Sequence, residues 1–103
     1  MATRLLVWAP RAKQDLLRIW GYYARLASPE IADSLLREIG KRALGLSQRP
    51  FVGRPRTELL PGLRSILVHP YAVIYRVTDN AVEIVRVLHE RRDLPTELKK
   101  DRG

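Results

Sequence analysis

Arginine dominates the side chains that could do chemistry in this sequence. Fifteen of the nineteen basic residues are Arg, and a guanidinium presents a planar fork of donors that fits phosphate or carboxylate oxygens. Arg49, Arg54 and Arg56 fall in one segment, Arg64, Arg76 and Arg86 in strand-like stretches, and Arg91 and Arg92 just beyond the last of these. A ribonuclease without a metal can be built from such groups. Cations stabilise the charged phosphorane while His, Tyr or Lys moves protons between the 2′-OH and the leaving oxygen. The two histidines are His69 and His89, and His89 is the better placed as a base. The commoner fate of a surface Arg is a weak ion pair or a solvated head. Arg76 has Glu83 for such a pair and Arg92 has Glu90 or Asp93, so a functional reading rests on Arg91 and Arg92 before Arg76 and Arg86.

Other chemistries lack their parts. There is no Cys, which excludes thiolate metal sites, disulfides and a thiol nucleophile. No carboxylate pair stands at metal-ligand spacing around either His, so no metal is expected. Gly53 and Gly62 are separated by Pro55 and Pro61 and open no helix, so no nucleotide cofactor is expected either. None of Ser28, Ser34, Ser47 and Ser65 sits in a nucleophile elbow.

The elements that position these groups follow from periodicity. Leu5-Leu6-Val7-Trp8 reads as a strand stopped by Pro10. Residues 11–26 place Ala12, Leu16, Ile19, Trp20, Tyr23 and Leu26 on one helical stripe, from which only Tyr22 among the aromatics points away. Ala9 is a poor cap for that helix. Ser28-Pro29-Glu30 restarts a helix with a capping hydroxyl, a Pro suited to the first turn and an acid at the positive end of the dipole. Gly40 and Gly45 weaken it unless a neighbour packs close. Residues 48–62, with three Pro and two Gly, form an ordered loop. Leu63–His69, Tyr71–Thr78 and Val82–His89 are strands with short links, hence antiparallel. A turn at Asp79-Asn80 sets Arg76 opposite Glu83, Tyr75 opposite Ile84 and Val73 opposite Arg86. The last pair puts a charge on the Tyr71, Val73, Tyr75 face, so either Arg86 snorkels at the margin or the turn is a residue longer. The order is β-α-α-β-β-β, an α+β fold with a helical hairpin on one face of an antiparallel sheet.

The 103 residues amount to one domain, 1–103, in which 91–103 is a polar tail without the apolar periodicity to hold itself in place. Apolar residues make up 46% and charged residues 29%, ordinary globular usage. The net charge of +8 implies an acidic partner, nucleic acid or protein. No apolar run suffices for a membrane span or signal peptide, so a soluble cytoplasmic protein without a membrane partner is expected.

One ordered series of residues resembles a known family. Trp8-Ala9-Pro10, Ala12, Asp15-Leu16, Ile19 and Tyr23 are followed by Pro50, Gly53, Arg54-Pro55, Glu58-Leu59 and Gly62-Leu63-Arg64. Tyr71, Ile74-Tyr75-Arg76, Arg86-Val87-Leu88-His89 and Arg91-Arg92-Asp93 complete it. Together they resemble the ParE branch of the RelE/ParE toxins of type II toxin-antitoxin systems over nearly the whole chain. Ala9 stands where a Ser is usual, which touches only the helix cap.

The resemblance implies one of two activities. RelE-like toxins are ribosome-dependent mRNA endonucleases; here Arg64, His89 and Arg91 would be the catalytic set, yet Ile66 and Ala72 stand where further cations belong and no Tyr follows Tyr75. ParE-like toxins poison DNA gyrase without catalysis, and the ending His89-Glu90-Arg91-Arg92-Asp93 resembles theirs. On that reading there is no catalytic residue, cofactor or small-molecule substrate. Arg54, Arg56, Arg64, Arg91 and Arg92 contact the gyrase–DNA complex, and a cognate ParD-like antitoxin neutralises the toxin. Its acidic and apolar C-terminal segment folds across the helical hairpin and sheet margin.

Overall fold

A computed structural model describes residues 3–99. The chain begins with the edge strand β1 (Leu5–Trp8), then forms an antiparallel helix pair, α1 (Pro10–Leu26) and α2 (Pro29–Gly45). Pro stands at the start of both helices, where its missing N–H costs nothing. The Ser28 hydroxyl caps α2 by accepting from the Ile31 N–H at 3.2 Å, whereas Ala9 gives α1 no side-chain cap. The Trp20 indole donates to Asp33 at 2.8 Å and ties the two helices together.

The sheet follows as β2 (Arg54–Pro55), β3 (Leu63–Val68), β4 (Tyr71–Val77) and β5 (Ala81–His89), in the spatial order β1-β5-β4-β3-β2. Gly62, at φ +85°, makes the turn into β3 in the left-handed region that Gly enters freely. The strands β2 to β5 pair antiparallel, but β1 lies parallel to β5, from Leu5 beside Ala81 to Trp8 beside Ile84. The sheet is therefore mixed rather than antiparallel throughout. An isolated N-terminal strand carries no local signal of its partner; here the helical hairpin returns the chain across the sheet before the meander begins, and β1 closes on its last strand.

Both faces of the sheet are covered. On one, Ile19, Ile39, Ala43 and Leu46 of the hairpin segment pack on Tyr71, Val73, Tyr75, Val82 and Ile84. On the other, Leu63, Ala72, Ile74 and Leu88 are covered by Leu94 and Leu98 of a short helix, α3 (Leu94–Lys99), with Leu59 and Leu60 beside them. Residues 91–99 are thus not a loose polar tail; 100–103 lie outside the described residues. Asp93 caps α3, accepting from the Thr96 N–H at 3.3 Å and from its hydroxyl at 2.7 Å, and two leucines four apart give it an apolar face.

The awkward pair at Arg86 is resolved by a β-bulge. Arg76 faces Glu83 and Tyr75 faces Ile84 as the turn requires, but Ile74 then faces Arg86, which leaves Val85 as the extra residue. The turn is not longer, and although β5 is a sheet margin beyond Ile84, the Arg86 head is buried there rather than snorkelling to solvent. Arg86 is 1% exposed and meets Asp15 of α1, also 1% exposed. Its Nε and Nη2 lie 2.8 and 2.9 Å from the two carboxylate oxygens. The same carboxylate accepts from the Val87 N–H at 2.9 Å, on the side of β5 that β1 leaves bare beyond Ile84. Arg86 also reaches the Glu97 carbonyl, so one guanidinium links α1, β5 and α3.

Nothing stands within 4 Å of a Cβ built at Gly40 or Gly45. The close packing that would justify them is absent among the described residues.

Candidate target-binding surfaces

The five arginines read as target contacts divide into two places with different duties. Arg64 of β3 is half-buried and holds the loop before β2: its Nη1 donates to the Gly53 carbonyl at 2.8 Å and the Phe51 carbonyl at 3.3 Å. Its guanidinium stacks over the Phe51 ring at 5.1 Å, with Arg4 over the same ring at 5.6 Å. The buried Tyr75 hydroxyl completes the loop by accepting from the Gly53 N–H at 2.9 Å and donating to the Pro50 carbonyl at 2.8 Å. Burial pushes the Tyr75 pKa up, which keeps that hydroxyl a donor. Gly53 is required here, because a Cβ would collide with the Tyr75 hydroxyl and lie 2.8 Å from the Ser65 carbonyl.

Arg56 is likewise engaged. It bridges Glu58 at 2.6 Å and the Ser65 hydroxyl at 3.0 Å, and the hydrogen bond from Arg56 lowers the Glu58 pKa. Arg54 is exposed on β2, where its backbone pairs with Ser65, and its side chain makes no hydrogen bond or ion pair among the described residues. It rims an open groove of about 550 Å³ between α2 and β3, together with Lys41, Arg42, Arg49 and the apolar Leu46, Val52, Ile66 and Leu67. Pairing of β3 with β2 ends at Ser65, so Ile66–Val68 have no strand partner beyond it, and the Arg42 guanidinium donates to the Leu67 carbonyl there at 3.4 Å. Lys41, Arg42 and Arg49 become functional candidates only through this juxtaposition.

The second place is the end of β5. Arg91 and Arg92 are both exposed. The Arg91 N–H donates to His89 Nδ1 at 3.1 Å, and Arg92 donates to Glu97 of α3 at 3.0 Å rather than to Glu90 or Asp93. Beside them an open cleft of about 420 Å³ separates α1 from β5. Tyr22, Tyr23, Tyr71 and His89 line it as an edge-to-face chain, with ring centroids 5.1, 6.4 and 5.6 Å apart in succession. Arg18 and Asp15 line its α1 side. Positions 15, 18, 19, 22 and 23 form one helical stripe, a signal present in the sequence but hidden by reading only its apolar members.

The two places are apart. Arg64 faces Tyr75 while His89 faces Tyr71, four residues away along β4 and across it, a separation of roughly 13 Å at a strand's rise per residue. Arg64, His89 and Arg91 therefore do not converge on one scissile phosphate. Among the described residues no group of three or more His, Asp or Glu converges as a metal site, and no helix is long and apolar enough to cross a membrane.

Comparison with known proteins bears on this arrangement directly. The family model described as "ParE toxin of type II toxin-antitoxin system, parDE" matches residues 6–94. The chain belongs to the ParE toxin family. It is 31% identical to toxin ParE1 of Mycobacterium tuberculosis over 99 residues, which cover 95% of this chain and 100% of that one. It is also 36% identical to toxin RelE2 of Caulobacter vibrioides over 87 residues, 84% of this chain and 96% of its relative. A solved structure of a chromosomal ParDE toxin-antitoxin system from P. aeruginosa superimposes with a TM-score of 0.75 at 28% identity, covering 84% of this chain and 96% of that chain. The ParE-family fold, two helices on a mixed five-stranded sheet, is thus the one expected from the resemblance, apart from the parallel edge, the two-residue strand β2 inside the segment read as a loop, and the closing helix α3. The protein is a toxin of the ParE/RelE type.

Proposed function

We propose that this ParE-family toxin arrests growth by docking on the DNA gyrase–DNA complex and trapping its cleaved intermediate, without catalysis of its own. The distance between Arg64 and the His89–Arg91 corner carries this reading, since phosphoryl transfer needs preorganised charge on one phosphate and the candidate cations are spread over two surfaces. Arg91 and Arg92 at the end of β5, with Arg54 at the other surface, are the exposed contacts, while Arg56 and Arg64 act by holding the loop that presents Arg54. A supercoiling and cleavage assay with purified gyrase tests the proposal. Accumulation of cleaved DNA in the presence of the toxin is expected, and unchanged supercoiling at large toxin excess refutes it.

The neutralising partner on this reading is a ParD-like antitoxin with an acidic, apolar segment. The groove along the strand-free edge of β3 supports it: four cations surround an apolar floor, and an extended segment that displaces Arg42 from the Leu67 carbonyl gains main-chain hydrogen bonds.

The RelE-named relative favours a second reading, ribosome-dependent mRNA cleavage. Transcript scission in a purified translation system, abolished by Arg91→Ala, would replace the first.

A further inference from the structure

The cleft between α1 and β5 has an inner lining that the proposed function does not use. Its walls are aromatic and its rim is cationic. Tyr22 is 51% exposed although it is a large ring on the helix side that faces β5, and the chain of rings runs inward from it through Tyr23 and Tyr71 to His89. Arg91 and Arg92 are exposed at the mouth, and Arg91 has no side-chain hydrogen bond or ion pair among the described residues. The carboxylate lining the cleft, Asp15, is buried and committed to Arg86, the Val87 N–H and Arg18, so it does not repel an anion. Burial, followed by the hydrogen bond with Tyr23, raises the Tyr71 pKa and keeps its hydroxyl protonated. At about 420 Å³ the space is that of a small-ligand site.

We propose that this cleft binds one unstacked nucleotide of a single-stranded nucleic acid, with the base against Tyr22 and its flanking phosphate at Arg91 and Arg92. An exposed tyrosine offers a face to any base, and two neighbouring guanidinium forks suit phosphate oxygens. Duplex is a poor ligand, because its bases are already stacked and paired and a walled cleft admits only one that has swung out. Arg92 keeps Glu97, whose side chain is only 14% exposed, on one nitrogen and turns its remaining donors to the phosphate.

Fluorescence anisotropy of the full chain with short labelled oligonucleotides, single-stranded DNA and RNA beside duplex DNA, tests the proposal without gyrase or ribosomes. Single strands are expected to bind more tightly than duplex. Tyr22→Ala weakens that binding by about 5- to 150-fold while Tyr22→Phe preserves it. Arg91→Ala reduces the slope of log affinity against log salt by about 0.7, one phosphate's worth. Arg37→Ala, exposed on α2 and part of neither surface, leaves affinity unchanged. A preference for RNA over DNA identifies a 2′-OH contact, and equal affinity locates recognition in base and phosphate; both accord with the proposal. It is overturned if no single strand binds, if Tyr22→Ala binds like the parent, or if Arg37→Ala costs as much as Arg91→Ala, which would mean a diffuse basic surface. Tyr22 and Arg91 are exposed, so circular dichroism of the variants should match the parent. Failure here leaves the gyrase reading standing, and a null gyrase assay leaves this one standing.

Discussion

Replacing Asp15 by Ala is expected to remove a large share of the protein's stability. The carboxylate satisfies three charged or polar groups at once: the Arg86 guanidinium through two bonds of 2.8 and 2.9 Å, the Val87 N–H at 2.9 Å, and the exposed Arg18 at 3.3 Å. Arg18 can turn to water. Arg86 and Val87 cannot, because both are buried, so the variant strips the Arg86 guanidinium of its Asp15 carboxylate and leaves an open N–H inside the fold. Breaking a buried pair from one side costs about 3–5 kcal/mol, against a total of about 5–15 for a domain of this kind. At roughly 4–8 °C per kcal/mol for a chain near this length, the midpoint of thermal unfolding should fall by about 12–40 °C. Urea unfolding followed by circular dichroism measures the loss directly. The double change Asp15→Leu with Arg86→Met should recover most of it, since two apolar groups of similar size replace the buried ion pair as a whole, although the Val87 N–H stays unmatched. A loss below about 1 kcal/mol for Asp15→Ala would show that water reaches Arg86 and would refute the reasoning.

Three further outcomes follow from the same structure. Gly40→Ala should stabilise the protein by up to about 1 kcal/mol, because the new methyl meets nothing and the helix gains a better former; a lower urea midpoint would contradict this. Tyr75→Phe removes the donor to Pro50 and the acceptor for Gly53, and should cost about 1–3 kcal/mol with faster hydrogen exchange in residues 50–53; unchanged exchange there would mean that Arg64 alone holds the loop. The Thr96 hydroxyl, followed by its N–H, holds the Asp93 pKa below its ordinary 3.8, so the cap's contribution to α3 is complete above that value and is lost as pH falls through the lower folded value. NMR titration of the Thr96 amide should show α3 intact at neutral pH and loosening only in that acid window, and Asp93→Ala should loosen it at neutral pH as well.

Much of the fold was legible because its signals are local. Ser28-Pro29-Glu30 caps a helix wherever it occurs, and the alternation in Tyr71, Val73, Tyr75 and Val77 marks a strand with one apolar face. The pairing of Arg76 with Glu83 followed from the turn alone. What could not be read depends on partners distant in sequence. Arg86 looked misplaced because its carboxylate lies 71 residues earlier, and because the bulge at Val85 that turns it toward Asp15 leaves no mark in composition. Leu94 and Leu98 carried a weak helical signal, too short to trust until the apolar underside of the sheet is seen to need a cover. For the candidate surfaces, the sequence supplied the cations but not their grouping: Arg56 and Arg64 turned inward to hold a loop, while Lys41, Arg42 and Arg49 joined Arg54 across a groove that only the tertiary fold creates.

The parallel contact between β1 and β5 has a consequence for synthesis. Leu5 leaves the polymerising machinery long before Ala81, the residue it must lie beside; at about 5–20 amino acids per second the first strand waits roughly 4–15 s for the last. Until then the nascent polypeptide has neither its closing ladder nor the Asp15 clasp, so the sheet edge and the α1–β5 corner are assembled only after β5 has emerged.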